Sequence, residues 1–417
     1  MSLSLDIFPE DYLFNLALSL PLALISPLCQ TNKRFNNLIC NNDYFWHQKF
    51  IKDYGSINYS GNWKTLYANY LNVWGWGDNR YGQLGVSDQK FKNRPTQIPD
   101  FKAIQISTGK NHTTLIDHDN NLWVTGNGGF GQLGIGEDVF IINHPTQVPS
   151  LKVKQVSAGS EYTIVIDLDN NVWVFGHDVG GNLGLNEEGV IIYIPTQIPN
   201  IKAKQVAAGL SHTLLIDLDD NVWTFGTNRY GELGLGDTIN RLVPTLIPGI
   251  KAKHVSAGHY HSLLIDLENN IWSFGNNLSG QLGLNDNIDR LIPTPIPLLK
   301  AQQISTGNGF SMVIDLDNNV WGFGVNGYGQ LGLGNTRQQF IPTQLNNIKA
   351  KKISTGRSHT VIIDLNYNVW MFGLIAINEI DNTLITRPKL INNFKATNIA
   401  AGDKFTIMIA TFTQSNK

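Results

Sequence analysis

The sequence predicts a mainly β protein: a seven-bladed β-propeller closed by pairing of the C-terminal strand with the first repeat strand, preceded by a small α-helical domain. Three observations predict this fold. A tryptophan recurs every 49–50 residues, each repeat unit reads as four short strands, and the two ends of the repeat array each hold part of one unit. Four-stranded repeats of this length are typical of propellers, in which a blade buries its faces only against its neighbours.

The repeats share further markers. A small residue precedes a glycine once per repeat, and the first six repeats also carry Gly-x-Leu-Gly and Pro-Thr. The seventh repeat lacks Gly-x-Leu-Gly, and its segment 374–384 is degenerate. We number the repeats 1 to 7 by their tryptophans, which are Trp74, Trp123, Trp173, Trp223, Trp272, Trp321 and Trp370.

Repeat 4 illustrates the four predicted strands. His212–Asp217 is apolar enough for a buried strand, and 219–221 forms a hairpin turn because Asp and Asn tolerate the left-handed region. Val222–Gly226 is the second strand. After a Gly-rich loop, Pro244–Pro248 and Lys253–Ala257 are predicted as short third and fourth strands. Proline at the start of a strand costs no ladder hydrogen bond.

The ends of the array predict closure. Repeat 1 begins at its second strand, Val73–Gly77, whereas the chain finishes with an extra first strand, Phe405–Ala410. Pairing of these segments would complete one blade and remove two exposed sheet edges, which otherwise favour aggregation.

Composition limits the possible partners. The 417 residues include 31 Lys and Arg against 33 Asp and Glu, a net charge of −2, so we expect neither a nucleic-acid nor a membrane partner. The apolar stretch 12–28 is interrupted by prolines and is not preceded by basic residues, so it is predicted to be neither signal peptide nor membrane span. Cys29 and Cys40 are expected to be reduced, as in a cytoplasmic or nuclear protein.

The repeat resembles a known family. The pattern Ala-Gly-x-x-His-Thr, followed by Asp-x-x-Asn-x-Val-Trp-x-Phe-Gly and Gly-Gln-Leu-Gly, is similar to the regulator of chromosome condensation repeat over residues 72–411. The resemblance implies the propeller fold. It leaves function open, because such propellers serve as exchange factors for the GTPase Ran, as ubiquitin-ligase modules and as interaction platforms.

Residues 1–70 show a different pattern, and we assign 71–417 to the propeller. Apolar residues at helical spacing follow Ile7-Phe8-Pro9-Glu10, Pro21 interrupts them, and helical spacing resumes over 24–29 and 32–39. This segment resembles an F-box, which implies binding to a Skp-type adaptor of cullin-based ubiquitin ligases. The residues expected to form the adaptor-binding patch are Ile7, Phe8, Pro9, Leu13, Leu24 and Ile25. The alternative is that these residues face inward and the helices only cap the propeller.

The sequence predicts no enzyme, cofactor or metal site. The third residue after the repeat glycine is His in four repeats but Tyr162, Phe310 or Phe405 in the others, which favours ring packing with a hydrogen bond over metal binding. Each acidic hairpin turn offers too few oxygens for calcium. The repeat tryptophans are expected to pack in the core.

The Gly-x-Leu-Gly loops and the Gly-x-x-His corners are predicted to lie on one face, opposite the Asp-Asn turns. Loops carry binding sites more often than the elements they connect, and Arg and Tyr dominate interface energetics. The target-binding residues predicted on this face, which the repeat itself does not require, are Arg80, Tyr81, Lys110, Phe130, Arg229, Tyr230, Tyr328 and Arg357.

These observations predict a substrate-recognition adaptor, in which an F-box recruits the ligase adaptor and the propeller binds an unknown protein target. One alternative is a propeller that binds or supports proteins without ligase recruitment. Another is an exchange factor for a Ran-like small GTPase or a chromatin binder, which the regular periods and the absence of a basic tail disfavour. The high Asn and Ile content suggests an A+T-rich genome and resembles that of proteins from large amoebal DNA viruses.

Overall fold

The computed structural model describes residues 8–20, 22–54, 64, 72–137, 139–376 and 382–412. The chain divides into two compact units, Met1–Tyr70 and Leu71–Lys417. The first contains the described helices and the second the described strands.

The helical unit follows the apolar spacing of the sequence. The Asn32 side chain caps the third helix by accepting a hydrogen bond of 2.8 Å from the Phe35 N–H. The elements are α1 (Glu10–Ser19), α2 (Leu22–Thr31), α3 (Lys33–Phe35), a π-helical turn (Asn36–Cys40) and α4 (Asp43–Tyr54). Their shared core contains Ala17, Ile25, Phe35, Ile39, Cys40, Phe45 and Trp46.

The two cysteines meet within this unit. Cys29 lies on α2 and Cys40 ends the π-helical turn, and they are joined as a disulfide with their Cα atoms 6.1 Å apart. The expectation of two reduced cysteines is therefore corrected. It rested on cysteine number and expected compartment, which carry no information on which helices pack together.

The second unit consists of antiparallel strands. Their bounds are β1 (Asn72–Gly77), β2 (Lys92–Lys102), β3 (Gln105–Thr108), β4 (His112–Ile116), β5 (Asn121–Asn127), β6 (Ile141–Ala158), β7 (Tyr162–Asp167), β8 (Asn171–His177), β9 (Ile191–Ala208), β10 (His212–Asp217), β11 (Asn221–Gly226), β12 (Arg241–Ala257), β13 (His261–Asp266), β14 (Asn270–Gly275), β15 (Arg290–Thr306), β16 (Phe310–Asp315), β17 (Asn319–Gly324), β18 (Gln339–Thr355), β19 (His359–Asp364), β20 (Asn368–Ala376), β21 (Asn382–Ala401) and β22 (Phe405–Phe412).

The predicted third and fourth strands of repeat 4 form one long strand, β12. Its first half pairs with β11, as in Thr224↔Thr245, and its second half pairs with β13, as in Val255↔Leu264. Between the halves, Gly249 has φ 77°, a left-handed conformation that bends the strand without interrupting it. The sequence predicts two separate strands here and does not show that the chain stays extended between them.

The two ends of the repeat array pair with each other. β1 and β22 are antiparallel partners from Val73↔Ile409 to Gly77↔Phe405, as the sequence predicts. Contacts between strands of successive repeats also form a closed cycle. β3 contacts β6, β6 contacts β9, β9 contacts β12, β12 contacts β15, β15 contacts β18, β18 contacts β21, and β21 contacts β3.

An aspartate at the end of the first strand holds the hairpin between the first two strands of a repeat. In repeat 4 the Asp217 carboxylate accepts from the N–H groups of residues 219 and 221, and its second oxygen accepts from Asn221 Nδ2 and Trp223 Nε1, both at 2.8 Å. Asp220 adopts φ 69°, as expected for this turn. The tryptophan is half-buried and hydrogen-bonded at the turn, so the expectation that it only packs in the core is corrected.

Repeat 7 replaces the Gly-rich loop with sheet. β20 continues past Gly373 to Ala376 and pairs with β21 through Leu374↔Leu384 and Ala376↔Asn382. The degenerate sequence therefore marks a hairpin extension, with residues 377–381 outside the described ranges.

Candidate interaction surface

One end of the strands gathers the glycine corners and the Gly-rich loops. In repeat 4, His212 at the start of β10 pairs with Gly226 at the end of β11, and the Thr227 N–H donates to the Ser211 carbonyl at 2.9 Å. Asp217 lies at the opposite end of β10. We call the end formed by the corners at 109, 159, 209, 258, 307, 356 and 402 and the adjoining loops the corner face, and the end formed by the Asp-x-x-Asn hairpins the turn face.

A ring packed directly on the glycine explains the corner motif. A Cβ at Gly209 would lie 2.5 Å from the Gly258 carbonyl oxygen and 2.8 Å from His212 Cε1, so no side chain fits there. His212 and its equivalents Tyr162, Phe310 and Phe405 are all fully or almost fully buried. The slot therefore takes a ring of any of these types, as the sequence predicts.

The corner histidines also connect successive repeats. Ser262 Oγ donates to the Glu232 carbonyl at 2.8 Å, so at its 2.9 Å contact with His212 it accepts and the histidine donates from Nε2. His212 Nδ1 is then a buried acceptor without a partner. Burial lowers the pKa of His212 to about 3, which keeps the ring neutral. The same contact recurs at His112, His261 and His359.

The corners of all seven repeats surround one cavity of about 390 Å³. Its wall is mostly glycine and small residues, and its chemistry comes from the residue that follows each corner glycine. These residues are Lys110, Ser160, Leu210, His259, Asn308, Arg357 and Asp403. We refer to this cavity as the central funnel.

Paired charges ring the central funnel. Lys110 Nζ lies 3.0 Å from Glu161 Oε1, and Arg357 lies 3.6 Å from Asp403 Oδ1. Burial, with the nearby Arg357 and Lys110 charges, lowers the pKa of His259 to about 4. Burial raises the pKa of Asp403 despite the neighbouring Arg357. The funnel thus presents two half-exposed cations, each paired with a carboxylate, around a neutral imidazole.

An aromatic and cationic group extends from the funnel across repeats 4 and 5. The Arg229 guanidinium lies over the Tyr230 ring at 5.6 Å, Tyr230 meets Tyr260 edge to face at 5.4 Å, and Tyr260 lies 6.3 Å from the His259 ring. Tyr260 is 42% exposed. We call these four residues the tyrosine cluster.

A second group extends from the other side of the funnel. The Phe130 ring stacks on His177 at 5.3 Å, His177 Nδ1 lies 3.4 Å from Glu161, and Glu161 pairs with Lys110. Two of the predicted target-binding residues, Phe130 and Lys110, therefore belong to one connected set, as Arg229 and Tyr230 do on the other side.

The remaining predicted residues lie elsewhere on the corner face. Arg80 forms a two-point ion pair with Asp78, with 2.7 Å between Nη2 and Oδ2. The N–H groups of Tyr81 and Tyr328 donate to Gln83 and Gln330, and the Tyr328 ring is 47% exposed.

Sequence reasoning missed Tyr260, His177 and Glu161 as members of this surface. Tyr260 stands two residues after its corner glycine, where other repeats hold Asn111, Ser211 or Ser358. The criterion used for Arg229, a residue that the repeat does not require, would have selected it.

The helical unit places the predicted adaptor-binding residues differently from the prediction. Leu13 and Ile25 are fully buried within the unit, because both lie on the inner faces of their helices, so neither offers surface to a partner. Phe8 is half-buried and stacks on Tyr12 at 5.1 Å, and Pro9 is exposed. Ile7 lies outside the described residues, and Leu24 is described only as part of α2.

Among the described residues, no helix has the length and apolar character needed to cross a membrane. Within the same ranges, no three His, Cys, Asp or Glu side chains are arranged to hold a metal ion.

Comparison with protein families gives matches along the repeat array. Residues 59–313 match the RCC1-like domain, and residues 317–363 and 301–330 match the regulator of chromosome condensation (RCC1) repeat. A search of curated proteins found no match.

Solved structures share the fold at low sequence identity. Prp20p from Saccharomyces cerevisiae, described with its binding to Gsp1p and histones, superposes with a TM-score of 0.75 at 20% identity over 84% of this chain and 93% of that one. Yeast RCC1 (Prp20) bound to Kap60 gives 0.75 at 20% over 83% and 90%. Human WBSCR16 gives 0.73 at 19% over 82% and 99%. The chain is thus similar to β-propellers along most of its length.

Proposed function

Because the chain belongs to the RCC1-like domain family, we propose that it is a protein-binding propeller whose corner face holds the target and whose helical unit recruits a ubiquitin-ligase adaptor. Propellers of this family are generally non-catalytic interaction or exchange-factor proteins. We infer that the repeats form a closed ring of seven blades, supported by the β1–β22 pairing and the cyclic order of strand contacts. The helical domain 1–70 and the propeller 71–417 act as separate modules in this proposal.

The tyrosine cluster beside the funnel is the main support for the proposal that the corner face binds a target. Two tyrosines, an arginine stacked on one of them and a neutral histidine form a continuous array with an exposed ring, Tyr260. Tyrosine and arginine are the residue types that dominate interface energetics, and the array needs little ordering because its rings already contact one another. Half-exposed Lys110 and Arg357 beside it favour a target segment that carries carboxylates.

For the helical unit, the support is the resemblance to an F-box together with the exposed Pro9 and Tyr12. The adaptor-binding patch is narrower than the sequence predicts, because Leu13 and Ile25 are in the core. We expect the full chain to bind a purified Skp-type adaptor with a Kd in the micromolar range or tighter, measured by calorimetry.

The matched variant for this experiment is Phe8→Ala combined with Tyr12→Ala, which removes the stacked rings at the surface. Leu218→Ser on the turn face is the control, since Leu218 is about half exposed in a different unit. Loss of binding in the first variant alone supports adaptor recruitment. Equal binding of both variants, or no binding by the wild type, would refute it and leave the propeller as the functional module.

A second candidate, a small-GTPase partner, is favoured by the likeness to Prp20p, which is described as binding Gsp1p. The test is binding and nucleotide release of a Ran-type GTPase with the wild type and with Tyr230→Ala and Tyr260→Ala together. Binding that this pair weakens and Leu218→Ser does not would assign the partner. A cytoplasmic or nuclear location and an origin in a large DNA virus stay predictions from the sequence.

A further inference from the structure

Two buried carboxyl groups on the corner face occupy positions that hold amides in most of the other Gly-rich loops; repeat 2 has Gly128 at the first position, and repeat 7 lacks the loop. The first position begins the Gly-rich loop. It holds Asn79, Asn228, Asn277 and Asn326 in repeats 1, 4, 5 and 6, but Asp178 in repeat 3. The second is the variable residue of Gly-x-Leu-Gly, which is Gln83, Gln132, Gln281 and Gln330 in repeats 1, 2, 5 and 6, but Glu232 in repeat 4.

The asparagines close their loops with the side-chain N–H₂ group. Asn228 Nδ2 donates to the carbonyl of the residue nine positions on, Asp237, at 2.9 Å. Asn79, Asn277 and Asn326 make the same bond at 2.8–3.0 Å. This bond joins the start of each loop to its far side.

An ionised Asp178 lacks this donor. Its side chain is 1% exposed, Oδ1 accepts from the Gly181 N–H at 2.7 Å, and Oδ2 is buried without a partner. A buried charged oxygen that accepts no hydrogen bond costs free energy, and protonation of the carboxyl removes that charge. The residue nine positions on is Glu187, whose neighbour Glu188 adds a repelling negative charge.

Glu232 is fully buried in the adjoining loop. Its Oε2 accepts from the Tyr230 N–H at 2.6 Å, the bond that the glutamines make in other repeats. It therefore holds the backbone of the tyrosine cluster. The two loops pack directly together, since a Cβ at Gly180 would lie 2.7 Å from Thr227 Cγ2.

We propose that Asp178 forms a proton-dependent clasp, in which protonation tightens loop 177–190, which packs against loop 227–240, and ionisation loosens it. The effect on the order of this loop does not depend on the proposed function. Its consequence for target binding rests on the proposed function, because loop 227–240 carries Arg229 and Tyr230.

The direction of the pH dependence follows from burial. Burial raises the pKa of Asp178 to about 6, and burial also raises the pKa of Glu232. An acid whose pKa is raised in the ordered state is stabilised there at low pH, and this stabilisation is lost as the pH rises from about 4 through about 6. The charged and titratable groups around the clasp are His177, Glu161, Tyr162, Glu188, Arg229 and the Asp237–Arg241 ion pair.

Hydrogen–deuterium exchange of the full chain tests the clasp. After correction for intrinsic rates, we expect exchange of loop 177–190 to increase by up to a hundredfold, in order of magnitude, between pH 4.5 and pH 7.5. Loop 276–289, which holds amides at both positions, is the internal control and is expected to change little. Asp178→Asn should remove the increase in loop 177–190.

Two further measurements keep the test decisive. The ¹³C signal of the Asp178 carboxyl is expected to titrate well above its ordinary range, and Asn277→Asp is expected to transfer the pH dependence to loop 276–289. A dependence that persists in Asp178→Asn would belong to His177 and would overturn the proposal. So would an Asp178 carboxyl that is already ionised at pH 5.

Discussion

At the residue scale, the aspartate that opens each turn-face hairpin does most to define the repeat. Burial alone would raise the pKa of Asp217, but hydrogen bonds from Trp223, Asn221 and the backbone outweigh it and lower the pKa. The same arrangement lowers the pKa of Asp167, Asp266 and Asp315. In repeats 2 to 7 the repeat tryptophan is thus the partner of a carboxylate six residues earlier, whereas Trp74 donates to the Ala410 carbonyl.

Asp217→Asn is expected to destabilise the propeller by about 1–3 kcal/mol, because an amide nitrogen would face the Asn221 and Trp223 donors. Urea unfolding followed by tryptophan fluorescence measures the loss. Asp219→Asn in the same turn is the control and should change stability by less than about 0.5 kcal/mol, since its side chain accepts none of these bonds. Equal effects of the two substitutions would contradict this account.

The lowered pKa of Asp217 also makes its contribution to the free energy of unfolding depend on pH. A lowered pKa in the folded state gives stability that is present above the unfolded value of about 3.9 and is lost as the pH falls below it. The contribution of Asp217 should therefore be lost at a pH below its lowered folded-state pKa. At that pH the wild type and Asp217→Asn are expected to differ less in urea midpoint than at pH 7.

At the element scale, β22 is the strand that joins the two ends of the repeat array. It pairs with β1 on one side and with β21 on the other. Ile407 and Ile409 are fully buried, and the Trp74 Nε1 donates to the Ala410 carbonyl at 3.0 Å. Losing β22 would expose two sheet edges and this apolar surface at once.

A chain that ends at Gly402 is therefore expected to melt at a clearly lower temperature and to aggregate on heating, as measured by differential scanning fluorimetry and light scattering. The control ends at Phe412 and keeps the whole of β22. If both shortened chains melted together with the full chain, the pairing would contribute nothing to stability.

At the scale of the whole molecule, the corner histidines make the repeats a linked set. Burial lowers the pKa of His112, His212 and His261 to about 3 and that of His359 to about 4. All four are neutral in the fold, whereas the unfolded chain binds protons near the ordinary value of 6.5. Their contribution to stability is therefore complete above about pH 6.5 and is lost progressively as the pH falls through about 4 for His359 and towards about 3 for the other three.

We expect the free energy of unfolding to fall between pH 6.5 and pH 4, and His212→Phe to reduce this slope by about one proton, or about 1.4 kcal/mol per pH unit. Phenylalanine fills the same slot in two other repeats, so the fold should persist. Urea titrations at several pH values measure the slope. His144→Gln, at an exposed position, should leave it unchanged, and a similar reduction in that variant would argue against the corner slots as its source.

The sequence by itself determined the repeat length, the hairpin turns, the ring slot at each corner and the pairing of the two end strands. These features depend on local preferences and on periodicity. The left-handed turn at Asp220 and the glycine under the His212 ring recur at equivalent positions in other repeats, and this repetition makes the structural requirement visible in the sequence.

Only the tertiary structure decided which side chains from different helices or different repeats meet. It placed Leu13 and Ile25 in a core, joined Cys29 to Cys40, and set Tyr260 against Tyr230. It also showed that Asp178 is buried with an oxygen lacking a partner. Such contacts join residues from different elements. Their distances and burial depend on how the elements pack, which the sequence of a single repeat does not show.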